Sequence, residues 1–432
     1  PYRRQRQMCI RDSSFIDPES GKIDMSRCIG LRYFMEKAKG YGCENFLLFS
    51  NTPPIGMTKN SSYHKTEPDF RSNLKEDCYD DFAEYLAEVA KRLSDGGYNI
   101  KYISPVNEPS WKWTTDIQEG TPWLNPEIKR LAVELDKSIQ KRGLETKIFL
   151  PEADSIQNIY GSERFQKDNP NSKEDAAFNQ LYAFFDPASK DYIGGLKTLA
   201  RQIGAHSYHT HLKNGQLREV RERAAAESQK YGVEYHQTEW CFLGFYADPK
   251  KLDGFTADWK TKNYADMQTA LHMAKIIYAD LVFGGARSWS YWVATELRDG
   301  ICALIDAEGF VEDAKKGREM RPNKLLWALG NYSFFIRPGY ERVSLEGAGD
   351  LDGVMASAYA SPDGGKIVAV FVNFKHGEVA AKVSLKSLGA KLYGVYKTDE
   401  RSDLALVKFS PESGCVELAP RSVTTAVWTV RK

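Results

Sequence analysis

Ile103-Ser104-Pro105-Val106-Asn107-Glu108-Pro109-Ser110-Trp111 is the stretch that decides the fold, because an apolar run ends there in an Asn-Glu pair and is cut off by Pro109. This pattern predicts that the Glu108 carboxyl group stands at the C-terminal end of a strand. In an α/β barrel the loops at that end of the strands build the active site. Glu108 is therefore a catalytic candidate; the alternative is that it is an exposed strand-end charge or caps the next helix.

The chain on either side of this stretch alternates between strand-like and helix-like segments. Apolar residues recur at helical spacing in three segments that end before glycines, and this predicts amphipathic helices. In one of them Asn125 and Pro126 are the predicted N-cap and first-turn residue. The predicted strands are residues 46–50, 102–108, 148–153, 203–208, 233–239 and 287–292. The order indicates a parallel barrel with crossover helices.

The pattern changes after Pro338, where helical spacing disappears and alternating runs such as residues 354–360 take over. A turn at Pro362-Asp363-Gly364-Gly365 has the chemistry of a hairpin. We therefore predict an α/β barrel over residues 14–330 and an all-β sandwich over residues 331–432.

A second predicted strand, Tyr235-His236-Gln237-Thr238-Glu239-Trp240, also closes on a carboxylate. In a parallel barrel Glu108 and Glu239 would come to the same mouth. Glycoside hydrolysis needs two carboxyl groups in unequal environments, one protonated and one ionised. A separation of roughly 5 to 5.5 Å implies retention of configuration.

These motifs resemble those of a known protein family. Asn107-Glu108-Pro109 and Gln237-Thr238-Glu239-Trp240 resemble the acid/base and nucleophile motifs of the retaining (β/α)8 glycosidases, and the chain is similar to glycoside hydrolase family 30. Further stretches that support the resemblance are residues 50–54, 327–339 and 420–425. Within the family the chain is most similar to endo-β-1,6-galactanases, and xylanase, β-1,6-glucanase and glucosylceramidase activities remain alternatives. The implied fold is a (β/α)8 TIM barrel with a β-sandwich.

The resemblance implies a role for several residues. Glu108 would be the general acid/base and Glu239 the nucleophile, and Asn107 would hydrogen-bond the sugar 2-hydroxyl or the nucleophile. Tyr208 would orient Glu239, unless it is a core tyrosine. The other predicted sugar contacts are Asn51, Trp111, His206, Trp240 and Trp292, and each tryptophan could equally serve packing. Ile55-Gly56-Met57 departs from the family, which commonly has an aromatic residue just after the Pro-Pro step, and this puts one wall of the sugar pocket in doubt.

The N-terminal region also departs from the family. Residues 1–13 contain four arginines and no periodicity, and Gln7-Met8-Cys9-Ile10-Arg11-Asp12 resembles a translated sequencing adaptor. We predict a non-native tail there, with a flexible basic tail as the alternative. Only one predicted strand precedes the Asn-Glu pair, so the barrel is expected to lack its first two strands.

Composition excludes several classes of protein. Lys and Arg number 59 against 58 Asp and Glu in 432 residues, and the net charge of +1 argues against a nucleic-acid partner. A hydrophobic content of 42% argues against disorder, and no apolar stretch approaches a membrane span. The 7 cysteines form no C-x-x-C pair. Oligomeric state stays open.

The run His206-Ser207-Tyr208-His209-Thr210-His211 raises the alternative of a metal-dependent hydrolase. On a strand, side chains alternate between faces, so His206 and Tyr208 would point away from His209 and His211. We therefore predict neither a metal site nor a cofactor. A polysaccharide or oligosaccharide is the expected substrate, a non-catalytic carbohydrate-binding relative or inactive fragment is a further alternative, and secreted or periplasmic location is implied by the resemblance.

Overall fold

The structure is a computed structural model that describes residues 15–17, 20–114, 118–169, 177–243, 253, 266–296, 303–307, 320–385, 389–411 and 414–430. The predicted tail at residues 1–13 lies outside the described residues. The chain forms two compact units. The first comprises the described residues up to Tyr208 together with Arg223–Thr238, and the second comprises His209–Glu222 and the described residues from Glu239 on. The predicted domain boundary at residue 330 stays a prediction.

A curled, five-stranded parallel sheet is the centre of the first unit. Its strands are β1 (Phe46–Phe49), β2 (Ile100–Ser104), β3 (Lys147–Ala153), β4 (Leu199–His206) and β5 (Glu234–Glu239), which lie side by side in chain order. The predicted α/β barrel topology is thereby confirmed for these five strands, which form half of a barrel. Because the strands are parallel, their C-terminal ends share one edge of the sheet.

The prediction of a sixth strand at residues 287–292 is wrong. Within that run Trp289 alone makes a β-bridge, and its neighbours do not belong to a strand. The backbone N–H of Trp292 donates instead to the carbonyl of Trp240 at 3.0 Å. The apolar residues of this run therefore pack without joining a continuous ladder.

Helices connect the parallel strands. Among the described residues the α-helices are α1 (Ile29–Gly40), α2 (Tyr79–Asp95), α3 (Asn125–Lys141), α4 (Glu163–Asp168), α5 (Gln180–Phe185), α6 (Asn214–Tyr231), α7 (Met267–Val282) and α8 (Lys324–Ser333). The predicted apolar stripe of α2 is confirmed, since Phe82, Leu86, Val89 and Leu93 are all buried.

The start of α3 differs from its prediction by one residue. Leu124, and not Asn125, is the N-cap, and the Leu124 N–H donates to the Glu127 carboxylate at 2.8 Å. Asn125 lies inside the first turn, where its side-chain amide donates to the carbonyl of Phe178 at 3.0 Å. Glu127, at the third position of the helix, therefore satisfies the backbone N–H of the N-cap residue Leu124.

Antiparallel sheets form most of the second unit. The described strands are β6 (Thr295–Glu296), β7 (Ile305–Ala307), β8 (Met320–Pro322), β9 (Glu341–Val343), β10 (Val354–Ala360), β11 (Lys366–Asn373), β12 (Val379–Lys382), β13 (Ala390–Asp399), β14 (Ser402–Leu406), β15 (Cys415–Leu418) and β16 (Ser422–Val430). Six of them form one sheet in the order β14-β13-β16-β11-β10-β9. The predicted hairpin is confirmed, because β10 and β11 pair antiparallel across residues 361–365.

One hydrophobic cluster of this unit lies between two of its sheets. Phe371, Val395 and Trp428 of the six-stranded sheet pack in one cluster with Val416 and Leu418 of β15. Strand β15 pairs only with β12 among the described residues, so the two strands form a second, small sheet. This packing is that of a sandwich.

Gly204 in β4 makes a close approach that no larger residue allows, and this predicts a stability effect. A Cβ atom at position 204 would lie 2.5 Å from Cε1 of Phe149 and 3.2 Å from Cγ2 of Thr238. Phe149 is itself buried and held between the rings of Tyr102 and His236. We expect Gly204→Ala to lower the free energy of unfolding by about 1–3 kcal/mol, the usual cost of overpacking, as measured by urea denaturation.

Gly215 is the matched control for this prediction. It is an exposed residue in the first turn of α6, and a Cβ atom there would meet no atom within 4 Å. Gly215→Ala should leave the free energy of unfolding unchanged or raise it by up to about 1 kcal/mol. If Gly204→Ala is as stable as Gly215→Ala, then the sheet does not pack as described.

Candidate active site

Glu108 lies in the loop after β2, at the C-terminal edge of the parallel sheet. The strand ends at Ser104, four residues earlier than the 102–108 strand that the sequence predicted. Glu108 has a left-handed backbone with φ of 42°, an uncommon conformation for a residue other than glycine. Its N–H donates to the carbonyl of Glu152 at 2.8 Å, and its carbonyl accepts from the Trp113 indole at 3.2 Å. Bonds to neighbouring elements therefore hold this strained residue in place.

The side chain of Glu108 contacts His206, the last residue of β4. Nδ1 of His206 lies 2.9 Å from Oε1 of Glu108. The imidazole is fully buried, whereas the Glu108 side chain keeps 16% of its surface exposed. Two side chains that are distant in sequence are thus joined at the C-terminal edge of the sheet.

Two further carboxyl groups come from the end of β3. Nε2 of His206 lies 3.5 Å from Oε2 of Glu152, and the Ser104 hydroxyl donates to Oε1 of Glu152 at 3.1 Å. Asp154 is hydrogen-bonded by the Asn158 side chain at 2.9 Å. Burial, reinforced by the nearby charge of Glu108, raises the pKa of Asp154 to about 6.

Sequence reasoning gave Glu152 and Asp154 no role. The available signal was the same one that identified Glu108, because both acids stand at the C-terminal end of a parallel strand. The left-handed φ of 55° at Glu152, which turns the chain toward Glu108, could not be read from the sequence.

Asn107 is buried beside Glu108, with 1% of its surface exposed. Its side-chain oxygen, Oδ1, has no hydrogen-bond partner among the residues that the structure describes. A buried amide oxygen without a partner costs free energy unless a ligand or a water satisfies it.

Glu239 is the final residue of β5 and is half-buried. Since β5 is a strand of the same parallel sheet, Glu239 stands at that sheet's C-terminal edge, as the sequence predicted. Strands β3 and β4 lie in the sheet between β2, which Glu108 follows, and β5, which Glu239 ends.

Trp240, which follows Glu239, is fully buried in the second unit. The rings of His211, Trp289 and Tyr291 lie 5.6 to 6.3 Å from its own. These surroundings correspond to the packing alternative that the sequence left open. Trp292 is half-buried and Trp111 is 52% exposed, so these two indoles have surface available to a ligand. Stacking on sugar stays a prediction for all three.

The histidine run is not one continuous strand. Strand β4 ends at His206, and Tyr208 and His209 lie in a turn, so the alternation expected of a strand does not hold beyond His206. The ring of Tyr208 lies edge-on to that of His206 at 5.9 Å. In the second unit, Nδ1 of His211 lies 2.9 Å from Nε2 of His272, and burial lowers the pKa of His272 to about 3.

Asn51 lies after β1 and lines a cavity of about 330 Å³ in the first unit. The wall around it includes Ser50, Pro54 and the aromatic side chain of Tyr63. Ile55 also lines the cavity, at the place where the resemblance leads one to expect an aromatic side chain. A contact between Asn51 and a sugar stays a prediction.

The sequence matches one family over most of its length. Residues 5–305 match the model of O-glycosyl hydrolase family 30. An endo-β-1,6-galactanase from Hypocrea rufa is 28% identical over 148 residues, which are 33% of this chain and 29% of that enzyme. The chain therefore spans less than a third of this curated relative.

Solved structures resemble the whole chain. A conserved exported protein from Bacteroides fragilis has a TM-score of 0.84 and 26% identity, over 98% of this chain and 85% of that one. A glycoside hydrolase family 30 subfamily 8 xylanase from Clostridium acetobutylicum has a TM-score of 0.61 and 18% identity, over 92% of this chain and 82% of that one. The second likeness shows the fold alone. Among the described residues, no helix has the length and apolar character needed to cross a bilayer.

Proposed function

We propose, since the chain belongs to glycoside hydrolase family 30, that it hydrolyses a β-linked polysaccharide with retention of configuration, and that its substrate is a β-1,6-linked galactan. The main observation that supports the proposal is that both acids follow or end strands of one parallel sheet. Glu108 follows β2 and Glu239 ends β5, so both acids belong to the C-terminal ends of its strands.

Glu239 is the proposed nucleophile in the first step. Its carboxylate attacks the anomeric carbon while the Glu108 carboxylic acid gives its proton to the glycosidic oxygen, so the bond to the leaving sugar breaks. The product of this step is an ester between Glu239 and the remaining glycan. The released sugar leaves with a free hydroxyl group.

Glu108 acts as a base in the second step. As a carboxylate it takes a proton from water, the water oxygen attacks the anomeric carbon, and the ester bond to Glu239 breaks. Two inversions at one carbon give net retention. The 2.9 Å contact between Nδ1 of His206 and Oε1 of Glu108 supports a fixed position for the acid/base side chain before the first step.

The Asn107 amide supports a sugar-binding role for this edge. Its buried Oδ1, which has no hydrogen-bond partner in the described part of the chain, is an acceptor that a sugar hydroxyl would satisfy. A hydrogen bond to the 2-hydroxyl would strengthen as positive charge develops at the anomeric centre.

The choice of galactan is supported by the 28% identity to the Hypocrea rufa galactanase. The resemblance to an exported protein of Bacteroides fragilis supports action outside the cytoplasm, where a polysaccharide would be met. Fold similarity does not decide between sugars, because one scaffold serves several substrates.

The direct test is hydrolysis of a panel of purified polysaccharides. The protein is incubated separately with β-1,6-galactan, β-1,4-xylan and β-1,6-glucan, and new reducing ends are measured. We expect release from the galactan, with the β-anomer appearing first in proton NMR spectra.

Each other outcome removes one part of the proposal. Cleavage of xylan or β-1,6-glucan in place of galactan would replace the substrate, and α-anomer as the first product would exclude retention. Binding to galactan by calorimetry with no cleavage of any polysaccharide would favour the carbohydrate-binding alternative.

A further inference from the structure

Glu152 is bonded through its backbone to the Glu108 loop and through its side chain to the last residue of β2. Its carbonyl accepts the Glu108 N–H at 2.8 Å. Its carboxyl group is 2% exposed and accepts from the Ser104 hydroxyl at 3.1 Å. A buried carboxylate that is not part of the proposed reaction needs a physical reason for its position, because burying a charge is costly.

The reason lies in His206, which stands between two acids. Nδ1 lies 2.9 Å from Glu108, and Nε2 lies 3.5 Å from Glu152. The first distance is that of a hydrogen bond, and the second is longer, close enough for an electrostatic attraction between an imidazole N–H and a carboxylate. One imidazole thus connects the acid/base candidate to a second carboxyl group behind it.

The two contacts restrict which atoms of His206 and Glu108 can bind a proton. A neutral imidazole has one N–H donor and one acceptor nitrogen. When Glu152 is a carboxylate, the favourable tautomer of His206 has its proton on Nε2, facing that charge. Nδ1 is then an acceptor, so its hydrogen bond to Glu108 requires a proton on Glu108. This proton is the one that Glu108 gives to the leaving sugar, and its hydrogen bond to Nδ1 breaks as the proton is transferred.

We propose that Glu152 is a positioning residue that selects the Nε2–H tautomer of His206 and thereby keeps the proton on Glu108. The inference rests on the proposed function, in which Glu108 is the general acid. Glu152 itself touches neither the substrate nor the reacting atoms in this scheme. It acts only through the imidazole.

Two other acids bear on the charge of Glu108. Asp154, also at the end of β3, lies close enough for the Glu108 charge to raise its pKa. Its hydrogen bonds go to Asn158 and Ser110, not to His206. Glu239 is the further carboxylate that the proposed mechanism sets against the same sugar. Asp154→Asn is therefore a matched control, because it removes a nearby negative charge and leaves the imidazole contacts in place.

The first readout is the tautomer of His206, which needs no turnover. The chain has 7 histidines, so ring-¹⁵N spectra are tractable, and the His206 signals are assigned by their loss in His206→Asn. We expect the Nε2–H form in the wild type between pH 5 and 8. In Glu152→Gln the amide can donate to Nε2, so we expect the population to move toward the Nδ1–H form, whereas Asp154→Asn should keep Nε2–H.

The second readout is the pH dependence of kcat/KM on β-1,6-galactan. In Glu152→Gln an Nδ1–H group would favour the Glu108 carboxylate, so the alkaline limb should move to lower pH by about one pH unit. Above that limb, kcat/KM should fall about tenfold. A smaller displacement in the same direction is expected for Asp154→Asn.

A wild-type Nδ1–H tautomer, or an imidazolium, would overturn the proposal. So would an alkaline limb that stays in place or moves to higher pH in Glu152→Gln, or equal displacements in the two variants. If the tautomers behave as expected but no polysaccharide is cleaved, the proposed hydrolase function fails and the coupling of Glu152 to His206 stands.

Discussion

Replacing Glu239 with Gln is expected to lower kcat/KM on β-1,6-galactan by about 10⁴-fold or more. The amide keeps the shape of the side chain but is a poor nucleophile, so the glycosyl ester cannot form. Losses of this size follow when the residue that forms the covalent intermediate is removed. The measurement is the initial rate of reducing-end release at several substrate concentrations.

The same strand offers the control. Glu234 is the first residue of β5, at the opposite edge of the sheet, and is exposed. Glu234→Gln makes the same chemical change without reaching the proposed site, so its rate should match the wild type. Retention of more than a tenth of wild-type activity in Glu239→Gln would remove Glu239 from the nucleophile role.

Azide gives a second check on this role. In Glu239→Ala the space of the carboxylate is free for the small anion, which would attack the anomeric carbon in a single inversion. The expected product is an α-glycosyl azide, identified by NMR. A β-glycosyl azide from this variant would indicate that Glu239 is the acid/base instead.

The second large effect is expected for Glu108→Gln. Loss of a general acid and base costs about 10²–10⁴-fold in rate, and we expect a decrease of this size on galactan. A dinitrophenyl β-1,6-galactobioside should behave differently, because its leaving group needs no proton. Its first step stays fast, while the second step lacks a base. The variant should therefore release a burst of dinitrophenol equal to the enzyme concentration and then turn over slowly.

Glu145 provides the control for the acid/base prediction. It is an exposed residue just before β3, at the N-terminal edge of the same sheet. Glu145→Gln should show neither a burst nor a loss of rate. If Glu108→Gln loses as much activity on the dinitrophenyl substrate as on galactan, with no burst, then Glu108 is not the proton donor.

Local patterns in the sequence determined the topology. Apolar runs that end in acids, alternating with amphipathic helices, predicted the five parallel strands and the edge at which Glu108 and Glu239 stand. These features are local, because the side-chain period of a strand or helix shows which face is buried. The alternating runs after Pro338 predicted the antiparallel sheets for the same reason.

Periodicity predicted element boundaries less well. The strand predicted to end at Glu108 ends at Ser104, and residues 287–292 do not form a strand. Both segments contain apolar residues, and apolar content does not show which backbone groups find a partner in a ladder. Pairing depends on a neighbouring strand that lies elsewhere in the chain.

Contacts between distant residues were decided only by the tertiary structure. His206 contacts Glu108, although 98 positions of sequence separate the two residues. The Glu152 carbonyl accepts the Glu108 N–H, and both of these residues have a left-handed backbone. The sequence named two acids and a histidine as separate candidates. Folding placed one imidazole between two carboxyl groups. The positions of protons depend on distances of a few ångströms, and such distances arise only when the strands assemble into a sheet.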